Sequence, residues 1–499
     1  MQPTLLLTVV AAYFAGLLLV TWFTSKGSNN QGFYVGNRRN PWPLVAFGMI
    51  GTSLSGVTFV SVPGAVGASQ WNYLQIMLGH LIGYAIVAFV LLPLYYRLQL
   101  TSIYDYIRRR LGPHSGRTAA GFFILSRTLG ATARLYIVIR ILQDWILSAW
   151  GVPFWLTAAV ILLMIVLYTF EGGVKTIVWT DTLQTSGMLF GLVACTVFLM
   201  DALNLQPLQA WQTLQAQGLS DVFATDPEPR NFWLKQITAG IFITVAMTGL
   251  DQEMMQKNIS VRTLGGAQKN MLVMALVMLG VVVLFLFLGG LLHLFAAHHG
   301  MAAKGDALFP AVVMQHMPQA MQVIFVLALI SALFPSADGA LTALTSSFCL
   351  DILGTDKRGL GEAEHKRIRY TVHCGFAAVF LLLVLLFRWV DNSSMIMLIL
   401  KIAGYTYGPL LGLFAFGLLT RRPVRDGAVW LVALAAPLVC AFIDALQATW
   451  FVSYRIGLEM LLLNGALTFA GLWLLSSPPK ALEARDEPSA NPASATTST

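Results

Sequence analysis

The sequence predicts an all-α integral membrane protein of about thirteen transmembrane helices, its core two inverted five-helix repeats. Three observations predict it. Of 499 residues, 57% are hydrophobic and only 11% charged, far outside the soluble globular range. Apolar runs of about 20 residues, enough to cross about 30 Å of hydrocarbon, recur throughout. Two of those runs, five spans apart, are interrupted in mid-span by small and polar residues.

The thirteen runs fall at 3–24, 43–67, 73–98, 119–149, 153–172, 176–202, 233–257, 269–299, 319–352, 368–390, 394–420, 426–449 and 453–476. The first lacks a basic leading region and a small-residue cleavage site, so it reads as a span and not a signal. The second, GMIGTSLSGVTFVSVPG, sets Gly48, Gly51, Gly56 and Pro63-Gly64 among serines and threonines. Such a helix either unwinds where a polar cavity receives its carbonyls or uses its glycines for close packing. In the third run His80 either lines a cavity or bonds a neighbouring helix. The fourth holds Arg127 and Arg134 on one face, as cavity residues or helix–helix bonds, and Arg140 and Asp144 at a pairing distance.

Between the fifth and sixth runs, Tyr168–Gln184 reads YTFEGGVKTIVWTDTLQ. It turns at Gly172-Gly173 and sets Asp181 inside the sixth span. A carboxylate at that depth is costly and reads as functional, its charge offset by a cation, a proton or a fixed positive partner. The seventh run has a weak point at Thr248-Gly249. Five spans separate it from the second, so the two broken helices run in opposite directions, as in an inverted repeat with a midplane site.

The ninth run places Ser331, Pro335, Asp338, Thr342 and Thr345 on one face. Pro335 removes the donor that the Ser331 carbonyl would use. This face is either a seat for a small hard cation or a kinked helix whose hydroxyls bond back to their own backbone. Lys401, deep in the eleventh run, is a contact for an anionic substrate or a partner of Asp181 or Asp338. His298 and His299 read as interfacial.

The net charge of +8 does not imply a nucleic-acid partner. With the N-terminus outside and the C-terminus inside, the inner connections and tail carry 22 Lys and Arg, Lys257 among them, against five on the outer side. That is the positive-inside bias. Cys195, Cys349, Cys374 and Cys440 show no metal spacing or disulfide pattern. No phosphate loop, Cys/His cluster or nucleophile elbow appears, which argues against an enzyme. The expected organisation is an extra helix and inner loop (1–42), a first five-helix repeat (43–202), an outer loop (203–232), a second repeat (233–420), two C-terminal helices (421–477) and a disordered inner tail (478–499).

Four motifs, in order, resemble the sodium:solute symporter family: SLSGVTFVSVPGAVGASQWN, YTFEGGVKTIVWTDTLQ, DQEMMQK and SADGALTALTSSFCLDI, over roughly residues 30–425. The resemblance implies a LeuT-type fold and sodium-coupled import of a small organic solute across a bacterial inner membrane by alternating access. Proton coupling through Asp181 or Asp338, and a non-transporting solute sensor, stand as alternatives. It implies a main sodium site from the carbonyls of Gly51, Leu54 and Ala332 with the Ser336 side chain. The family's usual hydroxyl at 335 is here Pro335, and Gly339 replaces a frequent serine. A second sodium or proton site would use Ser53, Asp181 and Asp338. Substrate positions would be Ser55, Gln70, Thr248, Lys401 and Arg134. With Thr248 where sugar carriers have an aromatic ring and Lys401 where they have glutamine, a carboxylate or other anionic group is favoured over a simple sugar. Sodium is the only coupling ion implied, with no organic cofactor. The implied partners are the solute and the lipid bilayer, in a monomer or loose oligomer.

Overall fold

A backbone surrounded by hydrocarbon must satisfy its N–H and C=O groups within its own segment, so the apolar runs become helices. The computed structural model describes residues 3–26, 29–389, 395–451 and 453–478, and no strand forms among them. In chain order the principal helices are α1 (Pro3–Ser25), α2 (Trp42–Ser53), α3 (Gly56–Ser69), α4 (Tyr73–Ile86), α5 (Pro113–Leu142), α6 (Phe154–Thr169), α7 (Val174–Ala202) and α8 (Trp233–Thr244). They continue as α9 (Gln252–Ile259), α10 (Leu264–His298), α11 (Gln319–Ser347), α12 (Glu362–Phe387), α13 (Met395–Thr406), α14 (Gly408–Leu419), α15 (Val429–Trp450) and α16 (Met460–Leu474). Among the described residues, 8 segments are long and apolar enough to cross a membrane, or up to 11 if each bent pair is one span. The expected thirteen also counts α6 and α16, whose 16 and 15 residues fall below the usual length of a crossing.

The bends are the features that matter for function. α2 and α3 meet at 57°, α8 and α9 at 65°, and α13 and α14 at 44°. The first two lie where the sequence is weakest. The third, beside Gly408-Pro409, was not anticipated.

The two main breaks are finished differently. The last helical bond of α2 runs from Leu54 N to Ile50 O at 2.8 Å, and Ser55 is already extended. The carbonyls of Gly51 to Leu54 therefore lose their helical donors and accept no hydrogen bond among the described residues. At the α8–α9 break the equivalent groups are capped. Tyr95 OH donates to Gly249 O at 2.8 Å, and Tyr104 OH to Leu250 O at 3.0 Å. Asp251 caps α9 by accepting from Glu253 N and Met254 N at 2.8 and 3.1 Å.

Helix α7 packs on α11, α2 and α10, while α3 lies on α10, α5 on α11 and α4 on α8. α4 and α8 touch backbone to backbone: a β-carbon on Gly79 would stand 2.1 Å from Ile237 O, and one on Gly240 2.3 Å from Ile76 O. The connection at 203–232 contains a short helix, Pro207–Ala216, and reaches the far end of α3. There Trp211 meets the Trp71 ring at 5.0 Å, and Asp221 O accepts from Trp71 N at 3.0 Å. The expected tail, from 479 onwards, lies outside the described residues. All four cysteines are free thiols, with Cys374 exposed and the others buried.

Candidate functional site

A cavity of about 110 Å³ lies between the two broken helices. α2 and α3 contribute Ser53, Ser55 and Thr58, α4 contributes Tyr73 and His80, α5 contributes Arg127 and Arg134, and the α8 break contributes Thr248. Met77, Met247, Met254 and Met278 supply soft apolar surface. His80 both lines the cavity and bonds a neighbouring helix, with Nδ1 2.9 Å from Gly240 O.

The two arginines divide the roles left open by their spacing. Arg127 is 4% exposed and forms an ion pair with the fully buried Glu253 of α9, so it ties helices together. Arg134, two turns away, makes no hydrogen bond or ion pair among the described residues and faces the cavity. α3 begins beside it with no side-chain cap at Ser55. Its first-turn N–H groups therefore present partial positive charge to the same space.

Two expected substrate residues are not brought there. Gln70 ends α3, whose 14 residues carry it about 20 Å from the break. Lys401 lies next to Leu400, which does line the cavity, but one residue turns about 100° around a helix. Its side chain is 54% exposed, and Nζ stands 2.8 Å from Asp444 Oδ2 on α15. Depth in a span was legible from the sequence; direction around the helix was not.

The buried partner of Asp181 is Lys257. Its Nζ lies 2.7 Å from Asp181 Oδ2, 2.7 Å from Thr52 Oγ1 and 3.8 Å from Glu253 Oε1. Thr52 also donates to Asp181 Oδ2 at 3.2 Å. Sequence reading had placed Lys257 in an inner connection, yet it is 1% exposed. The 65° break turns α9 back into the bundle and buries the whole DQEMMQK block. Asp338 has donors of its own, accepting from Tyr168 OH at 2.8 Å and Gly339 N at 2.5 Å. Ser53 lines the cavity, and it is the neighbouring Thr52 that reaches Asp181. Arg140 and Asp144 form the expected local pair at 3.4 Å.

At the α2 break, the open carbonyls of Gly51 and Leu54 belong to a segment packed on α11, which is buried throughout its middle. Ser336 Oγ donates to Leu333 O at 2.9 Å, which leaves its lone pairs available, and Ala332 lies one turn earlier. Unwound carbonyls joined by a hydroxyl form a hard oxygen set that suits a small cation. By their chemistry, these oxygens are of the kind that would hold sodium as a transported ion.

The family model described as the sodium:solute symporter family matches residues 33–434. The chain belongs to the sodium:solute symporter family. Its similarity to the sodium/sialic acid symporter of Proteus mirabilis is 21% identity over 489 residues, 92% of this chain and 94% of that protein. The sodium-coupled monocarboxylate transporter 2 of Danio rerio is 24% identical over 436 residues, 83% of this chain and 68% of the relative. A Na+-coupled sialic acid symporter solved in a substrate-bound outward-open state has the same fold, with TM-score 0.81, 18% identity and coverage of 94% and 97%. A nucleobase-cation-symport-1 transporter follows at TM-score 0.51 and 15% identity, with coverage of 89% and 93%. This sodium:solute symporter is therefore a multi-pass membrane transporter coupled to Na+, built on the inverted-repeat fold with broken first and sixth core helices. Its family and structural neighbours are transporters, not enzymes.

Proposed function

We propose that the protein imports a small organic anion, a carboxylate, together with sodium, and that Arg134 is the residue that receives the anionic group. One observation carries this reading: an arginine without an ion-pair partner among the described residues faces a partly open cavity beside an uncapped helix N-terminus. A cation in that setting is costly unless a ligand brings the counter-charge, and guanidinium binds carboxylate through two parallel hydrogen bonds. Ser55, Thr58 and Thr248 are placed to fix the ligand's polar atoms.

The coupling sodium binds, in this reading, at the carbonyls of Gly51, Leu54 and Ala332 with Ser336. It joins α2 to α11 and favours one pose of the bundle. Lys257 already offsets the charge of Asp181, so in this reading Asp181 works with Lys257 and Thr52 as a fixed ionic brace and not, with Ser53 and Asp338, as a second sodium site. The charge bias along the chain supports a bacterial inner membrane with the N-terminus outside and the C-terminus inside. The breaks support repeats bounded near 43–202 and 233–420.

The test is a thermal-shift screen of small carboxylates with and without sodium, followed by uptake into proteoliposomes. A transported carboxylate stabilises the protein more when sodium is present, because the two sites are linked. Uptake indifferent to a sodium gradient, or stabilisation by neutral solutes alone, would sink the reading.

A further inference from the structure

The hydroxyl of Thr185 has no visible purpose within the helix that carries it. On α7 the neighbouring hydroxyls are bonded: Thr180 to Ile177 O at 3.1 Å, Thr182 to Val178 O at 2.8 Å, Ser186 to Thr182 O at 2.9 Å and Thr196 to Leu192 O at 2.8 Å. Thr176 accepts from Thr24 at 3.1 Å. Thr185 is 0% exposed, and its Oγ1 has no hydrogen-bond partner among the described residues. A buried hydroxyl left alone costs about 1–3 kcal/mol, so it needs an explanation.

Its surroundings supply one. A β-carbon built on Gly51 would stand 2.2 Å from Thr185 Oγ1 and 3.5 Å from Pro335 Cγ. Three elements thus converge on one point. α2 brings Gly51, whose missing side chain makes room for the hydroxyl and whose carbonyl is open. α11 brings Pro335, which offers no side-chain oxygen and removes an N–H. α7 brings an unbonded side-chain oxygen to that contact.

We propose that Thr185 is a sodium ligand of this symporter, its hydroxyl completing the oxygen set of Gly51, Leu54, Ala332 and Ser336 on the side that Pro335 leaves bare. The inference rests on the sodium site assigned under the proposed function. It ties a third helix to the ion: sodium bridges α2, α11 and α7, so its release frees α7 as well. It also gives Gly51 a second task, since any side chain there would displace the ligand.

The experiment is 22Na+ binding to the purified full-length protein, with melting temperature in sodium-free buffer measured in parallel. Thr185→Val keeps the shape and removes the hydroxyl. Sodium affinity falls about ten- to hundredfold, the size of one lost bond to a charge, while the sodium-free melting temperature holds or rises. Thr185→Ser retains wild-type affinity, and adding Pro335→Ser to Thr185→Val restores most of the loss. Sodium affinity within about twofold of wild type in Thr185→Val overturns the proposal. If that variant does not fold, Thr185→Ser and Thr185→Ala carry the comparison, and equal affinity in both overturns it. A wild-type protein that binds no sodium at all would instead remove the sodium site on which the inference stands.

Discussion

Lys257 and Asp181 form a buried ion pair, Nζ to Oδ2 at 2.7 Å, between a helix that follows one break and a helix that flanks the other. Both side chains are essentially inaccessible, at 1% and 0%. Neither charge is tolerable alone at that depth, so the pair holds α9 against α7 as one unit.

Removing one partner should therefore cost more than removing both. Lys257→Met leaves Asp181 uncompensated and is expected to destabilise by about 3–5 kcal/mol. Lys257→Met combined with Asp181→Asn should recover most of that loss. Melting temperatures of the two singles and the double, measured in one detergent, give the coupling. A Lys257→Met protein as stable as wild type would contradict the brace.

The two arginines of α5 should separate cleanly. Arg134→Gln is expected to weaken carboxylate binding about ten- to hundredfold, with melting temperature and sodium binding retained. Arg127→Gln leaves the buried Glu253 with only the longer Lys257 contact at 3.8 Å, and stability should fall by about 3 kcal/mol. Ligand-induced thermal shifts beside ligand-free melting curves distinguish the two. Equal behaviour of both variants would undo the division of roles.

Lys401 should matter little. Its pairing with Asp444 is half exposed, so Lys401→Gln should cost no more than about 1 kcal/mol. Carboxylate and sodium affinities should stay within about twofold of wild type. A selective loss of carboxylate binding would return Lys401 to the substrate path.

Tyr95→Phe removes the donor to the Gly249 carbonyl without changing the ring. A loss of about 1–3 kcal/mol is expected. Sodium binding measured with 22Na+ should be unchanged, because the affected break carries no ion ligand in the proposed site. A large loss of sodium affinity would mean that the α8–α9 break takes part in ion binding after all.

Much of this was readable in the sequence because membranes impose simple rules. Apolar runs had to be helices, and clustered glycines in one run and Thr248-Gly249 in another marked two breaks within a few residues of where they fall. Asp181 and Arg134 stood out because charge at depth demands a partner. The partner itself was hidden. DQEMMQK follows an apolar run and is rich in polar residues, which is how an inner loop reads; only the 65° turn of the chain carries it back into the bundle. Lys401 failed for a related reason, since hydropathy reports how deep a residue lies but not which way it points. A carboxylate at position 444, itself inside an apolar run, was the available signal for its true partner. Thr185 was unreadable for a third reason: threonines in spans ordinarily bond back to their own helix, and four of its neighbouring hydroxyls do.

The tyrosine caps on the second break have a consequence for symmetry. Two inverted halves, left alone, would make the outward and inward poses equivalent in energy. Tyr95, Tyr104 and Asp251 occupy the polar groups of one unwound stretch, while the other keeps its carbonyls open. The scaffold is thus twofold in geometry and one-sided in charge. Ion occupancy acts on a single hinge, and only an inequivalence of that kind lets a bound ion tilt the balance between two poses that the backbone alone would weigh equally.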